Sequence, residues 1–422
     1  MAKQFNYKSI RSLLLLTLIG LSACQKSADE IIASVAAADT KVLYISTGSC
    51  NSGQGITTYT TTATRTIERY LASTGTNLGY LLDYNYSGVF IPATHPRTII
   101  DNGSSLLILN ENATTTSERR VIKVPKTDPL SYTNYYANST AFSGILNGMY
   151  MDTEGSLIVG KTTALEKISP NLSRVLAGAA AWVNAPAGTC ATSTTGMSSV
   201  VTLPPVSAGV AGKIIYAHQG ATAALNRLGM MTGTGYYTAA DCVNGVQISA
   251  VTHTKAANIT QDVVAFNAVG TAPTSMILIP FSSGSVTAKL IVSYANAQTS
   301  NNNAGTYNLN HGIVSWDVTE TSTTAGTLSN PVVLYDNTTY IFGISAMAYD
   351  SSTKSLFVAS AGDPGAVNQT TNGYGYNVEK FSVDFTNAAT TGLQLTRQAT
   401  NFMPFIRGGA NTKCISGLAL GN

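Results

Sequence analysis

The sequence predicts an all-β chain folded as a closed ring of repeated four-stranded antiparallel units. Three observations carry this expectation: a strand pattern that recurs in fixed order, a regular spacing of its opening strands, and two chain ends that complete one another. The clearest units lie in the C-terminal half. Thr274–Ile279 and Lys289–Tyr294 are followed by a long Asn/Gly segment, then by Gly312–Asp317 and Pro331–Tyr335. Gly343–Ala348, Ser355–Ser360, a second long Gly/Asn segment, Asn377–Ser382 and Leu393–Thr396 repeat that order. Short runs rich in Val, Ile, Tyr and Thr, bounded by Gly, Asn and Ser, are the signature of antiparallel strands.

Earlier units follow the same plan with shorter connections. Arg97–Ile100, Ser105–Ile108, Arg120–Lys123 and Thr133–Tyr136 make one; Ile145–Met151, Ser156–Val159, Ala164–Ile168 and Ser173–Ala177 make another. A further unit begins near Met197, continues at Lys213–Tyr216 and Asn226–Met230, and then loses its pattern. The last strand, Ile415–Leu420, has no successors and resembles an opening strand such as Ile344–Ala348. Val42–Thr47 resembles a second strand such as Leu356–Ser360. Ends that match in this way close a ring, and a ring of four-stranded blades around a channel is a β-propeller.

Residues 41–422 are therefore expected to form a single propeller. Six blades can be counted, and the long interval from 195 to 274 has room for a seventh around Gln247–Val251 and Val263–Phe266. A pair of β-sandwiches or a β-helix are the competing repetitive folds. No WD or kelch signature recurs, and Trp182 and Trp316 are the only tryptophans, so no particular propeller family is indicated.

The N-terminus carries an address. Lys3, Lys8 and Arg11 precede an apolar run from Leu13 to Leu21, and Leu21-Ser22-Ala23-Cys24 closes it. The run is too short for the roughly 20 residues that span a bilayer. This pattern resembles the lipobox of bacterial lipoproteins. The resemblance implies a signal peptide over 1–23, acylation of Cys24 as the mature N-terminus, and, with Gln25 following it, an outer-membrane location, periplasmic or surface facing. Residues 24–40 then read as a tether of small residues.

Loss of residues 1–23 removes three of the 24 basic residues and none of the 21 acidic ones, so the remaining chain is formally neutral. No basic stripe is left to suggest nucleic acid. Charged residues are only 11% of the chain, far below the roughly 25% of an ordinary soluble domain. Besides Cys24 there are cysteines at 50, 190, 242 and 414, an even number that suits two disulfides in an oxidising compartment. Four cysteines permit three pairings. Propeller topology favours Cys50–Cys414 across the closing blade and Cys190–Cys242 between blade-to-blade connections.

Chemistry is harder to read. His95, His218, His253 and His311 are the only histidines, none spaced with a second ligand, and there is no CxxC cluster, so no metal is expected. No GxSxG elbow occurs, and no cofactor is expected. Asp152-Thr153-Glu154-Gly155 and Asp350-Ser351-Ser352 read as hairpin turns. In a propeller the second-to-third-strand loops share one face with the blade-to-blade connections. The long segments 297–310 and 362–375 fall there, with Tyr307, Asn308, Asn310, Tyr374 and Tyr376 as flat aromatic and amide surfaces, and His311 and His218 beside them.

The reading this favours is a lipid-anchored, non-catalytic propeller that binds an envelope or surface protein or a glycan through that face. A propeller hydrolase, lyase or lactonase with a site at the central channel is one alternative. An assembly or scaffold lipoprotein of the outer membrane is the other.

Overall fold

The computed structural model describes residues 41–49, 66–83, 94–112, 116–143, 146–161, 164–176, 183–184, 196–203, 213–219, 226–232, 245–259, 271–296, 312–320, 326–335, 344–360, 377–389, 392–398, 402–403 and 413–421. These residues form six sheets. Blade 1 holds β1 (Val42–Ser49), β2 (Thr66–Leu71) and β3 (Asn77–Asp83), and is completed by the last strand of the chain, β26 (Lys413–Gly421). Blade 2 is β4 (Thr94–Asn102), β5 (Ser105–Asn112), β6 (Arg120–Pro125) and β7 (Thr133–Tyr136). Blade 3 is β8 (Leu146–Met151), β9 (Leu157–Lys161), β10 (Ala164–Ile168) and β11 (Arg174–Val175), with β12 (Val183–Asn184) on the other half of β10.

Blade 4 is β13 (Gly196–Leu203), β14 (Lys213–Gln219), β15 (Arg227–Thr232) and β16 (Val246–Gln247). Next in the chain is β17 (Thr254–Lys255), which belongs to blade 5. Blade 5 is built from β18 (Thr271–Ser283), β19 (Val286–Asn296), β20 (Gly312–Glu320) and β21 (Gly326–Tyr335), and blade 6 from β22 (Ile344–Asp350), β23 (Ser355–Ser360), β24 (Asn377–Asp384) and β25 (Gln394–Arg397). The opening strands touch in the order β26, β4, β8, β13, β18, β22, and β22 touches β26 again. The ring is closed and has six blades.

Second strands read as unbroken apolar runs because each blade is packed on both faces. Leu106 and Ile108 of β5 join Tyr44 and Ile67 of blade 1, whereas the alternate residues Leu107 and Leu109 join Leu146, Leu157 and Val159 of blade 3. Alternation sends neighbours along one strand into different cores. Outer strands are short and partly exposed, as in β7 and β11, which limits the unpaired edge each blade presents.

The interval expected to leave room for a seventh blade holds none among the described residues. Gln247 ends the outer strand of blade 4, and Ile248–Ala250 is a single 3-10 turn. The chain then lays Thr254 and Lys255 parallel to Val332 and Val333, adding a fifth strand to the rim of blade 5. The apolar Ile248 is spent in the core between blades 4 and 5, so apolarity alone did not mark a strand. Val263–Phe266 lies outside the described residues. The expected strand at Ser173–Ala177 is shorter, Arg174–Val175, because β10 shares its outer edge between β11 and β12.

Candidate functional site

Strand direction gives the ring two different ends. One end carries the turns between first and second strands and between third and fourth; we term it the turn end. The other carries the second-to-third-strand connections and the links between blades; we term it the loop end. Segments 297–310 and 362–375 follow β19 and β23, the second strands of adjacent blades 5 and 6. Both therefore leave from the loop end. Tyr307, Asn308, Asn310, His311, Tyr374 and Tyr376 themselves lie outside the described residues. His218 is the second-last residue of β14, buried at the loop end and paired in register with Met197 and Arg227.

Of the cysteines, Cys24, Cys50, Cys190 and Cys242 lie outside the described residues, and of Cys414 only the backbone is described. Its register partner is Gly48, two residues before Cys50. Position 242 falls between β15 and β16, hence between third and fourth strands of blade 4. The expectation that it follows the outer strand is corrected, and with it the topological reason for pairing it with Cys190 is lost.

The loop end of blades 2 and 3 is built from buried ions. Glu111, at the end of β5, is fully buried; its Oε2 accepts the Leu146 N–H at 2.7 Å and its Oε1 lies 2.8 Å from Arg119 Nε. Burial raises the Glu111 carboxyl above its usual range, against the opposing pull of Arg119, the Leu146 amide and Arg97. Arg119 donates to the Phe142 carbonyl at 3.3 Å, and Lys161 donates to the neighbouring Ala141 carbonyl at 2.9 Å. Lys161 also meets Glu166 at 2.6 Å, and Glu166 takes the Arg174 guanidinium as a fork at 2.7 and 2.8 Å. Two carboxylates and their cations thus clamp one blade junction through consecutive carbonyls.

Glu166 belongs to a recurrence that the strand pattern alone did not single out. Ile67-Glu68-Arg69-Tyr70, Leu165-Glu166-Lys167-Ile168 and Val378-Glu379-Lys380-Phe381 occupy equivalent third-strand positions, their glutamates paired with Ile45, Val159 and Val358 of the second strands. Glu379 grips Arg397 of β25 at 2.8 and 3.1 Å and takes the Asn377 amide at 2.9 Å. Glu68 accepts from Tyr70 at 2.8 Å and Thr66 at 2.9 Å. The signal was the triplet of apolar residue, Glu and base in three units.

Lysines tie further junctions toward the turn end. Lys41, just before β1, reaches Asp350 of blade 6 at 2.5 Å, and Lys213 of blade 4 reaches Glu320 of blade 5 at 2.6 Å. Lys289 of blade 5 pairs with Asp317 and donates to the Ala388 carbonyl of blade 6 at 2.7 Å. Lys380 of blade 6 donates to Ala72 of blade 1 at 3.1 Å. Asp350 also forms the expected turn, accepting the Ser352 amide at 3.0 Å, as Asp152 accepts that of Ser156 at 2.7 Å. Between blades 4 and 5, His253 stands edge-on to Trp316, whose indole N–H donates to Tyr294 at 2.9 Å. Among the described residues no group of three His, Cys, Asp or Glu could hold a metal ion, and no helix is long and apolar enough to cross a membrane.

No protein-family model matches the chain, and no curated protein does. Solved structures with a similar course include a protein of unknown function from Bacteroides caccae, at 8% identity over 90% of this chain and 99% of that one, with a TM-score of 0.46. A gluconolactonase from Xanthomonas campestris aligns at 10% identity over 83% and 86% of the two chains, with a TM-score of 0.38. A pyrroloquinoline-quinone-bound aldose sugar dehydrogenase from Streptomyces coelicolor aligns at 11% over 76% and 92%, with a TM-score of 0.39. None of these likenesses bears on the chemistry of this ring, and the propeller stands on its own sheet topology.

Proposed function

We propose that the chain is a lipid-anchored propeller of the bacterial cell envelope that binds a protein or glycan partner through the loop end of its ring, without catalysis. One observation carries the reading: the chain joins the ring at Lys41, at the turn end of β1, while the two long segments of blades 5 and 6 leave from the opposite end. An anchor at Cys24 would therefore hold the turn end nearer the lipid and present the loop end outward. Tyr and Asn side chains over 297–310 and 362–375 offer aromatic faces and amides, which suit sugar rings and protein surfaces. The buried carboxylates Glu68, Glu111, Glu166, Asp350 and Glu379 are engaged by hydroxyls or cations within the ring, a use that supports a scaffold over acid–base chemistry.

Shortening both segments tests the reading. The variant is expected to keep the thermal midpoint of the parent, because loop length costs little in folding free energy, and to lose binding to envelope proteins and surface glycans. A catalytic turnover abolished by His218→Ala or His311→Ala in a folded protein would replace this reading with the enzyme, since a general acid or base typically contributes about 10²- to 10⁴-fold.

A further inference from the structure

The large apolar side chains that stand exposed among the described residues are Leu78, Tyr80, Leu130, Leu172 and Leu176, and all belong to blades 1, 2 and 3. Leu78 and Tyr80, 42% and 54% exposed, sit near the start and at the middle of β3, the outer edge of blade 1. Leu130, 67% exposed, tips the 3-10 turn Pro129–Ser131 between β6 and β7, which touches β3. Leu172, 42% exposed, tips the turn from β10 to β11. Leu78, Leu130 and Leu172 thus lie at the turn end, whereas Tyr80, opposite Glu68, is at the middle of β3 and Leu176 follows β11 on the outer edge of blade 3.

Leu172 is also held at φ 63°. A leucine there is sterically disfavoured, where Gly or Asn would sit at ease. Turn chemistry does not explain an exposed leucine at that position. Leu78 and Leu130, on elements in contact, form an exposed apolar patch of the kind that marks a contact surface, and Leu172 stands at the same end one blade further on.

We propose that this rim docks on the lipid surface, with Leu78, Tyr80, Leu130 and Leu172 entering the headgroup layer. The proposal rests on the anchor at Cys24 and deepens it. The chain from Cys24 to Lys41 reaches at most about 60 Å when extended, and Lys41 joins the ring at the same end, in the same blade as β3. β1 and β3 are separated only by β2, roughly 10 Å across the sheet. An acylated Cys24 therefore keeps this rim within reach of the bilayer, and the apolar side chains fix which edge of the ring rests on it. Tyr80 brings an apolar ring and a polar tip, the combination found at membrane interfaces.

The test uses the full chain, produced in a bacterial host that lipidates exported proteins and reconstituted into phosphatidylcholine–phosphatidylethanolamine vesicles, with and without lipids brominated near the headgroup. Leu130→Trp is compared with Ser285→Trp, which places the probe at the turn end of blade 5, across the ring. Fluorescence reads docking, and sedimentation with the vesicles reads the anchor. Docking is expected to quench the indole signal of the Leu130→Trp chain at least twofold more than that of the Ser285→Trp chain. Adding Leu78→Ser and Leu172→Asn to both chains should abolish that difference while the protein still sediments. Equal quenching of the two chains in a sedimenting protein overturns the docking and leaves the anchor standing. A chain that does not sediment with vesicles overturns the anchor and the docking together.

Discussion

At Asp350 burial works against the charged carboxylate, yet the Lys41 ammonium and the Ser352 and Thr353 donors outweigh it and hold the group at about 2, below its usual 3.8. A carboxylate depressed in the folded state stabilises above its unfolded pKa, and the contribution is lost as pH falls from about 4 through 2. Because Lys41 keeps a quarter of its side chain in water, the gain is about 1–2 kcal/mol after screening. Asp350→Asn should lower stability by that amount at pH 6 and by only about a third as much at pH 2.5, as read by urea unfolding at the two pH values. Leu172→Asn should act oppositely, raising stability by about 1 kcal/mol as the φ 63° strain is relieved. The turn at Asp350 was legible from Asp350-Ser351-Ser352. Its bond to Lys41 was not, because the two are 309 residues apart and meet only when the ring closes.

Among elements, the third strands carry the least conventional choice, a buried Glu in each of blades 1, 3 and 6. The Arg397 fork satisfies Glu379, so Glu379→Gln should leave a partly buried guanidinium without its counter-charge and cost about 2–3 kcal/mol in chemical denaturation. Strand identity was readable because both blade faces are apolar. The glutamates escaped notice because a charged residue in a strand ordinarily signals a solvent face. The outer strand of blade 4 escaped too, having only Val246 and Gln247 to announce it. The closing strand was legible from its likeness to Ile344–Ala348, and its weight follows from burial. Ile415 and Leu418 are 1% and 7% exposed, and burying two such side chains contributes roughly 3–6 kcal/mol, against a total stability on the order of 5–15 kcal/mol. Deleting residues 413–422 should abolish cooperative thermal unfolding or leave the chain aggregated through the bared edge of β1.

For the whole molecule, ring closure turns a linear repeat into a body with two chemically different ends. The number of blades and the side of the long connections could be inferred from strand order, since direction alternates along the chain. The long connections could be assigned to an end, but a site could not be assembled side chain by side chain, because a propeller face draws residues from segments far apart in sequence. Cys24→Ser should shift the protein from the membrane pellet to the soluble fraction; retention after a high-salt wash with a cleaved leader would contradict the anchor. The proposed division of labour between the ends is tested most directly by photo-crosslinking in intact cells. A benzophenone amino acid replaces Tyr307 or Tyr374, in the segments that follow β19 and β23, or Ser285 at the turn end. Crosslinks to a defined envelope protein or glycan should form from 307 and 374 and not from 285. The same adducts from all three positions, or from 285 alone, would show that the loop end is not the binding face.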